Sequence, residues 1–332
     1  MARPNLFSYA TSELSQDAFI CWLLAWASPD IDDPDDGLRS CAKNFIHALF
    51  AKHSKVSPDV ITKVEIFKQD HNIDVFCVIN GQYALLIEDK TGTKNHSNQL
   101  VRYLEDVRSR TFNEADILPI YLKTQDQSDY SEIEDELYQV FRRSDFLTIL
   151  NSYEGDHPIL IDFREHLQSI ANEVDAFRSR HVDNWEFNQW VGFFLRLQEE
   201  PNELSLGMWD YVANPRGGFC GFWWHFQGNQ DCEQYLQLEH GKLCFKIRVR
   251  ERSNRSSYRN RWCAIVKSTK EKSGLSLDRP KRFGNGEFMT VCVNSGDYRV
   301  RDSDGVLDIE KTILNLLKAQ KILKAVNETE GQ

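Results

Sequence analysis

Ile73-Asp74-Val75-Phe76-Cys77-Val78-Ile79-Asn80-Gly81-Gln82-Tyr83-Ala84-Leu85-Leu86-Ile87-Glu88-Asp89-Lys90 is the stretch on which the fold turns. Two apolar runs rich in β-branched and aromatic residues flank Asn80-Gly81, a pair suited to the positive φ angles of a two-residue hairpin turn. The runs read as antiparallel strands over 73–79 and 83–91. Side chains two apart share a face of a strand, so Glu88 and Lys90 point one way and Asp89 the other. A turn at 80–81 lays the strand of Asp74 beside that of Glu88. Three charged side chains then converge at one end of an apolar sheet.

That convergence suits phosphodiester hydrolysis. Two carboxylates on neighbouring strands can hold Mg²⁺, a hard cation that takes oxygen ligands and keeps waters. The backbone carbonyl of Asp89 offers a further ligand. Such a metal acidifies bound water and neutralises phosphoryl oxygens, and a lysine beside it can orient the attacking water. An Asp followed at a distance by Glu-x-Lys also occurs on solvated strand edges. Here both carboxylates follow apolar strand residues and a hairpin turn separates them.

Working outward, Ser12 to Ala27 has a capping serine and apolar residues at helical spacing, and reads as a helix. Leu38 to Ser54 reads as a second helix after the turn-rich 28–37 loop. Strands are expected over 60–67 and 117–123, and helices over 97–110, 131–150 and 158–178. The order of helix, three antiparallel strands, helix and strand predicts an α/β core with a mixed central sheet flanked by helices. From about Asp183 the texture changes. Strands are expected over 219–226, 233–239, 242–250 and 288–294, with helices over 257–272 and 306–325. This predicts a smaller α+β domain, and the division is placed at 1–180 and 181–332.

The Asp74, Glu88-Asp89-Lys90 pattern resembles the PD-(D/E)XK nuclease superfamily. Gln99-Leu100-Val101-Arg102-Tyr103 is similar to the QxxxY motif of its RecB-like branch. Gln99 and Tyr103 are helical i,i+4 neighbours, free to face the site or nucleic acid together. Glu13-Leu14-Ser15-Gln16-Asp17-Ala18-Phe19-Ile20-Cys21-Trp22-Leu23-Leu24 is similar to the opening helix of a bacterial branch, in which a helical Glu before a Trp-Leu-Leu run approaches the metal. The resemblance spans about residues 10–125. It implies a restriction-endonuclease-like core and a Mg²⁺-dependent deoxyribonuclease in which Mn²⁺ substitutes. Asp74, Glu88, Asp89 and Glu13 would serve the metal, with Asp74, Glu88 and Lys90 catalytic. Bacterial defence or DNA processing is the implied setting, and a non-catalytic nucleic-acid-binding or partner-recruiting module is the alternative. Ile73 stands where the motif's name places Pro.

Composition bounds the rest. With 332 residues, 41% hydrophobic and net charge −10, the chain has material for two cores and no global basic field. Yet Lys246 to Arg282 holds thirteen Lys and Arg against three acidic residues. Lys246, Arg248 and Arg250 share a strand face; Arg255 and Arg259 follow with Tyr258 and Trp262 among them. Arg248, Arg250, Arg255 and Arg259 are therefore candidates for contact with nucleic acid, most simply DNA; the other reading is a solvated or internally docked basic face. The Phe222–Phe226 run reads as core, with base stacking as the other role. Glu65, His71, Asn72, Lys94, Asn95 and His96 are candidates to line the cleft or to be ordinary surface, and Glu105 and Asp106 read as exposed helix charge. The eight cysteines form no CxxC pair, which excludes zinc ribbons and points to free thiols in a reducing cytoplasm. No leader or membrane span is expected. No GxxxxGK[S/T] motif occurs, so a motor would be a separate ATPase or defence-system partner. A homodimer would suit double-strand cutting.

Overall fold

The computed structural model describes residues 3–33, 35–92, 98–214, 217–268 and 274–330. Lys94, Asn95, His96, the expected helix start at Ser97 and the expected helix end at Lys272 lie outside them. The chain divides into two compact units, Met1–Ala171 and Asn172–Gln332.

The first unit is built on five strands: β1 (Val64–Asp70), β2 (Ile73–Ile79), β3 (Tyr83–Lys90), β4 (Ile117–Lys123) and β5 (Gln139–Arg142), neighbours in that order. β1, β2 and β3 are antiparallel, whereas β3, β4 and β5 run parallel. A parallel step needs a crossover, and helix α3 (Gln99–Arg108) supplies it between β3 and β4. Every residue of β4, and of β3 after Tyr83, is buried. Unbroken apolar runs are the mark of strands covered on both faces.

Residue parity divides that cover into two layers. Val75, Cys77, Ile79, Leu85 and Ile87 pack with helices α1 (Glu13–Ala25), α2 (Asp36–Lys52), α5 (Arg143–Asn151) and α6 (Pro158–Asp175). Phe76, Val78, Ala84 and Leu86 pack instead with Leu100, Tyr103, Leu104 and Val107 of α3 and with Ile133 of the short α4 (Ser131–Asp135). At the turn Asn80 and Gly81 both take positive φ, 56° and 67°. Gln82 N–H closes onto the Ile79 carbonyl at 3.0 Å. The register pairs Ile79 with Tyr83 and Val75 with Ile87, and Asp74 and Glu88 are the next residues along their strands.

Three expectations change. A single helix over 131–150 gives way to α4, β5 and α5. Leu137 at φ 70° ends the helical path, and no Gly or Pro signals it in the sequence. β1 begins at Val64 rather than Val60. In the second unit, α7 (Phe187–Gln198) and β6 (Met208–Val212) occupy a stretch to which the sequence reading assigned no element.

That second unit centres on an antiparallel sheet in the order β10 (Leu277–Asp278), β11 (Phe288–Asn294), β9 (Lys242–Arg248), β8 (Glu233–Glu239), β7 (Phe219–Gly228) and β6. One face packs on α7, α8 (Arg255–Ser268) and α9 (Ile309–Glu330) through Phe194, Phe222, Trp224, Phe245, Trp262 and Leu316. β12 (Val300–Arg301) and β13 (Leu307–Asp308) form a separate ribbon.

Candidate active site

Asp74, Glu88 and Lys90 share the α3-facing side of the sheet because they carry the parity of Phe76 and Leu86. Lys90 Nζ lies 2.5 Å from Glu88 Oε1, 3.6 Å from Asp74 Oδ2 and 4.0 Å from Glu13 Oε2. It also donates to the Asp89 carbonyl at 3.1 Å. Asp74 Oδ2 in turn accepts the Asp89 amide at 2.9 Å, which ties β2 to β3 beside the lysine. Glu13 reaches the site from the first turn of α1, and its Oε1 accepts from the Thr91 amide at 3.2 Å. Gln99 Nε2 donates to Glu88 Oε1 at 2.8 Å and lies 2.9 Å from the Tyr103 hydroxyl. Thus six residues quoted from the sequence, Glu13, Asp74, Glu88, Lys90, Gln99 and Tyr103, meet at one sheet end.

Their electrostatics follow from burial. Glu88 is fully buried. Burial first, then the Asp74 charge, pushes its carboxyl up to about 8, against the opposing pull of Lys90. Burial disfavours the Lys90 ammonium, but the hydrogen bond and charge of Glu88, with Asp74 and Glu13 behind it, hold its pKa above the usual lysine range.

Hard oxygens of this kind fit a divalent cation. The donor set comprises the carboxylates of Asp74, Glu88 and Glu13 and the carbonyl of Asp89. Glu88 Oε2 is buried with no hydrogen-bond partner among the described residues, an arrangement that is costly unless a cation or a proton satisfies it. Among the described residues no three acidic, His or Cys side chains stand ready-gathered as a metal cluster; the Lys90 ammonium sits between the carboxylates.

Asp89 points to the opposite face, as parity requires. Its Oδ1 accepts from Gln16 Nε2, and Gln16 Oε1 accepts from Thr124 Oγ1 at 2.9 Å. Asp17 lies alongside; burial and then the Asp17 charge raise Asp89 well above the usual carboxylate range. Burial, then the charge of Asp74, pushes Asp17 itself up to about 6. Gln16, Asp17 and Thr124 join α1 to β3 and to the end of β4 on the face opposite Glu88 and Lys90. The sequence motifs give no role to Gln16 and Asp17, although both lie in α1. The available signal was their position on the buried side of a helix whose first residue is Glu13.

Other candidates fall elsewhere. Glu65 pairs across the strands with Val78 and bridges to Lys63 at 2.8 Å, away from the triad. His71 Nδ1 lies 3.0 Å from Asp106 Oδ1, and Arg110 bridges Asp70 and Asp106 at 2.5 Å each. Asp106 is therefore part of an ion network, where the sequence suggested bare helix charge. Asn72 holds the β1–β2 turn at φ 71°. In the second unit, Arg255 donates to the Val249 and Arg250 carbonyls at 2.9 Å. Arg259 donates to the Gly284 carbonyl at 2.7 Å and stacks 4.3 Å over Phe283. Arg248 bonds Glu287 at 2.8 Å and lies 5.0 Å over Phe288. Arg248 and Arg250 line a common cleft. Among the described residues no helix is long and apolar enough to cross a membrane.

No curated protein and no solved structure matches this chain significantly. A family model of the PD-(D/E)XK nuclease superfamily matches residues 4–193. That span covers every element of the five-stranded unit and each of the six converging residues, and ends within α7. The mixed sheet with helices on both faces is the restriction-endonuclease-like arrangement. Since the match takes in more than half of the 332 residues, the chain belongs to the PD-(D/E)XK nuclease superfamily.

Proposed function

We propose that this protein is a Mg²⁺-dependent nuclease that hydrolyses phosphodiester bonds of DNA. One observation carries the reading: a lysine ammonium within 4.0 Å of carboxylates from α1, β2 and β3, at one end of the sheet. Asp74, Glu88, Glu13 and the Asp89 carbonyl would hold the cation, and Mn²⁺ should substitute. When bound, such a cation acidifies water and neutralises charge on the phosphoryl group.

The chain's own residues do the rest. Lys90 lies where an ammonium can orient an attacking water and steady the anionic transition state. Gln99 fixes Glu88 Oε1 by donating to it. The pairing of Gln99 with Tyr103 favours the RecB-like branch and gives α3 a contact role towards the substrate. Residues 1–180 would form the nuclease domain and 181–332 an accessory domain for nucleic acid or a partner. Arg250 is the strongest contact candidate there, with Arg248, braced by Glu287, beside it in the same cleft, whereas Arg255 and Arg259 already serve backbone carbonyls. Bacterial defence or DNA processing in the cytoplasm, with a separate ATPase or as a homodimer, is the setting we infer.

The test is plasmid and linear DNA degradation in Mg²⁺, in Mn²⁺ and in EDTA. Cleavage should stop in EDTA. Lys90→Ala should keep DNA affinity and lose cleavage by at least about a hundredfold, the scale of one lost transition-state donor. Full activity in that variant would overturn the role given to Lys90. Binding without any cleavage by the native chain would favour the partner-recruiting reading.

A further inference from the structure

β7 carries an irregularity with a consequence for binding. Along β7 the even residues Phe222 and Trp224 face the core. Strict alternation would send Phe226 there as well. Instead the β7–β8 register shifts between Trp224 and Gln227, and His225 takes φ 58°. Such a bulge re-aims the side chains that follow it. Phe226 emerges on the outer face, 49% exposed, stacked on Tyr235 at 5.1 Å and 17°. His225 stays buried, fixed by Glu203 and by Gln227 Nε2 at 2.9 Å. An apolar ring is thereby held out in solvent by a tied-down backbone.

Beside it lies a cavity of about 330 Å³ lined by Phe226, Gln227, Asn229, Glu233, Arg248 and Arg250 among others. Gly228 lines it as well. The register runs Gly228, Glu233, Arg248, Phe288 across four neighbouring strands, and a side chain is missing only at the first. Gly228 sits at φ 94°, and a Cβ there would meet the Cys232 carbonyl at 2.4 Å, so no larger residue fits. Arg248 is braced by Glu287 at 2.8 Å. The exposed Arg250 guanidinium has no partner among the described residues. The cleft thus combines an aromatic face, two guanidinium groups and carboxamides able to meet a base edge.

We propose that this cleft binds one unpaired nucleotide of a single-stranded nucleic acid, its base stacked on Phe226 and its phosphate against Arg248 and Arg250. Stacking on an aromatic face beside a basic groove is how single strands are held without strict sequence choice. A base inside a duplex has both faces covered and cannot reach Phe226. The nuclease reading supplies only the expectation that the ligand is nucleic acid; the inference does not need the site to cut.

The experiment is fluorescence anisotropy of the full-length chain in EDTA, with labelled oligo-dT, oligo-U and a blunt duplex of equal length. Phe226→Ala should weaken both single strands by about tenfold and the duplex by less than twofold. Phe226→Trp should restore single-strand binding. Arg250→Ala should weaken all three. Phe226 is half exposed, and matched circular dichroism checks that its variants fold. Unchanged single-strand affinity in Phe226→Ala, or an equal loss for single strand and duplex, would overturn the proposal. Because no turnover is read, an inert catalytic site leaves the result unaffected.

Discussion

Glu88 sits at the meeting of three influences that rarely act on one carboxyl: full burial, a neighbouring acid and a lysine at 2.5 Å. Burial wins, and the group holds a proton up to about pH 8. Below that pH a divalent ion must displace the proton, so apparent affinity should rise by up to about tenfold per pH unit and level off above it. Calorimetric titration with Mg²⁺ at pH 6, 7 and 8 checks this, and a flat profile would contradict it. Glu88→Gln should abolish both the affinity and its slope. The identities of Asp74, Glu88 and Lys90 were legible because strand parity and one turn fix which side chains share a face. Asp89 was legible as facing away, but its partner Gln16, and Thr124 that holds Gln16 in turn, were not, since no local pattern links α1 to β4.

Among the elements, the β2–β3 turn and the α2–β4 contact make separate predictions. Gly81 has φ 67° and open space where a Cβ would stand. Gly81→Ala should therefore cost about 1 kcal/mol from backbone conformation alone. Thermal melting would read it, with Mg²⁺ affinity unchanged in the folded protein. His53, just past α2, donates from Nε2 to the Pro119 carbonyl of β4 at 3.1 Å. Burial lowers its pKa to about 4. A histidine held neutral in the fold contributes stability in full above about pH 6.5, and loses it as pH falls from 6.5 towards 4. Native protein should thus lose more stability between pH 7 and pH 5 than His53→Gln does, by on the order of 1 kcal/mol after solvent screening, read by denaturant unfolding at the two pH values. β2, β4, β8 and β11 were readable to the residue from apolar runs and turn residues. β5 was hidden, because four residues behind a left-handed Leu137 carry no periodicity long enough to read.

For the whole molecule, charge is distributed against its net sign. The chain carries −10 overall, yet thirteen of its 40 Lys and Arg fall between 246 and 282. Of the four arginines singled out there, Arg255 and Arg259 are taken up by carbonyls of their own unit. Nucleic-acid affinity should consequently fall steeply with salt, and Arg250→Ala should reduce the slope of log affinity against log salt by about 0.7–0.9. A titration between 50 and 200 mM salt at fixed pH would read the change, and an unaltered slope would remove Arg250 from the contact. Segregation of charge was visible in the sequence. Which arginines remain available was not, because that depends on carbonyls brought near by folding.

The sidedness of β3 has a last consequence. Glu88 and Lys90 serve one face while Asp89 is anchored to Gln16 on the other. Suppose β3 slipped by a single residue against its neighbours. A carboxylate would still arrive at that sheet end, since Asp89 would replace Glu88, but Glu88 would be driven into the place of Ile87 among the apolar residues beneath α1, Lys90 would move to the Asp89 position on the opposite face, and the Gln16 anchor would be lost. An imitation of the site with an acid and no ammonium is therefore a misfolded chain as well as an inert one. The same alternation that gathers Asp74, Glu88 and Lys90 on one face therefore also penalises the register that would scatter them.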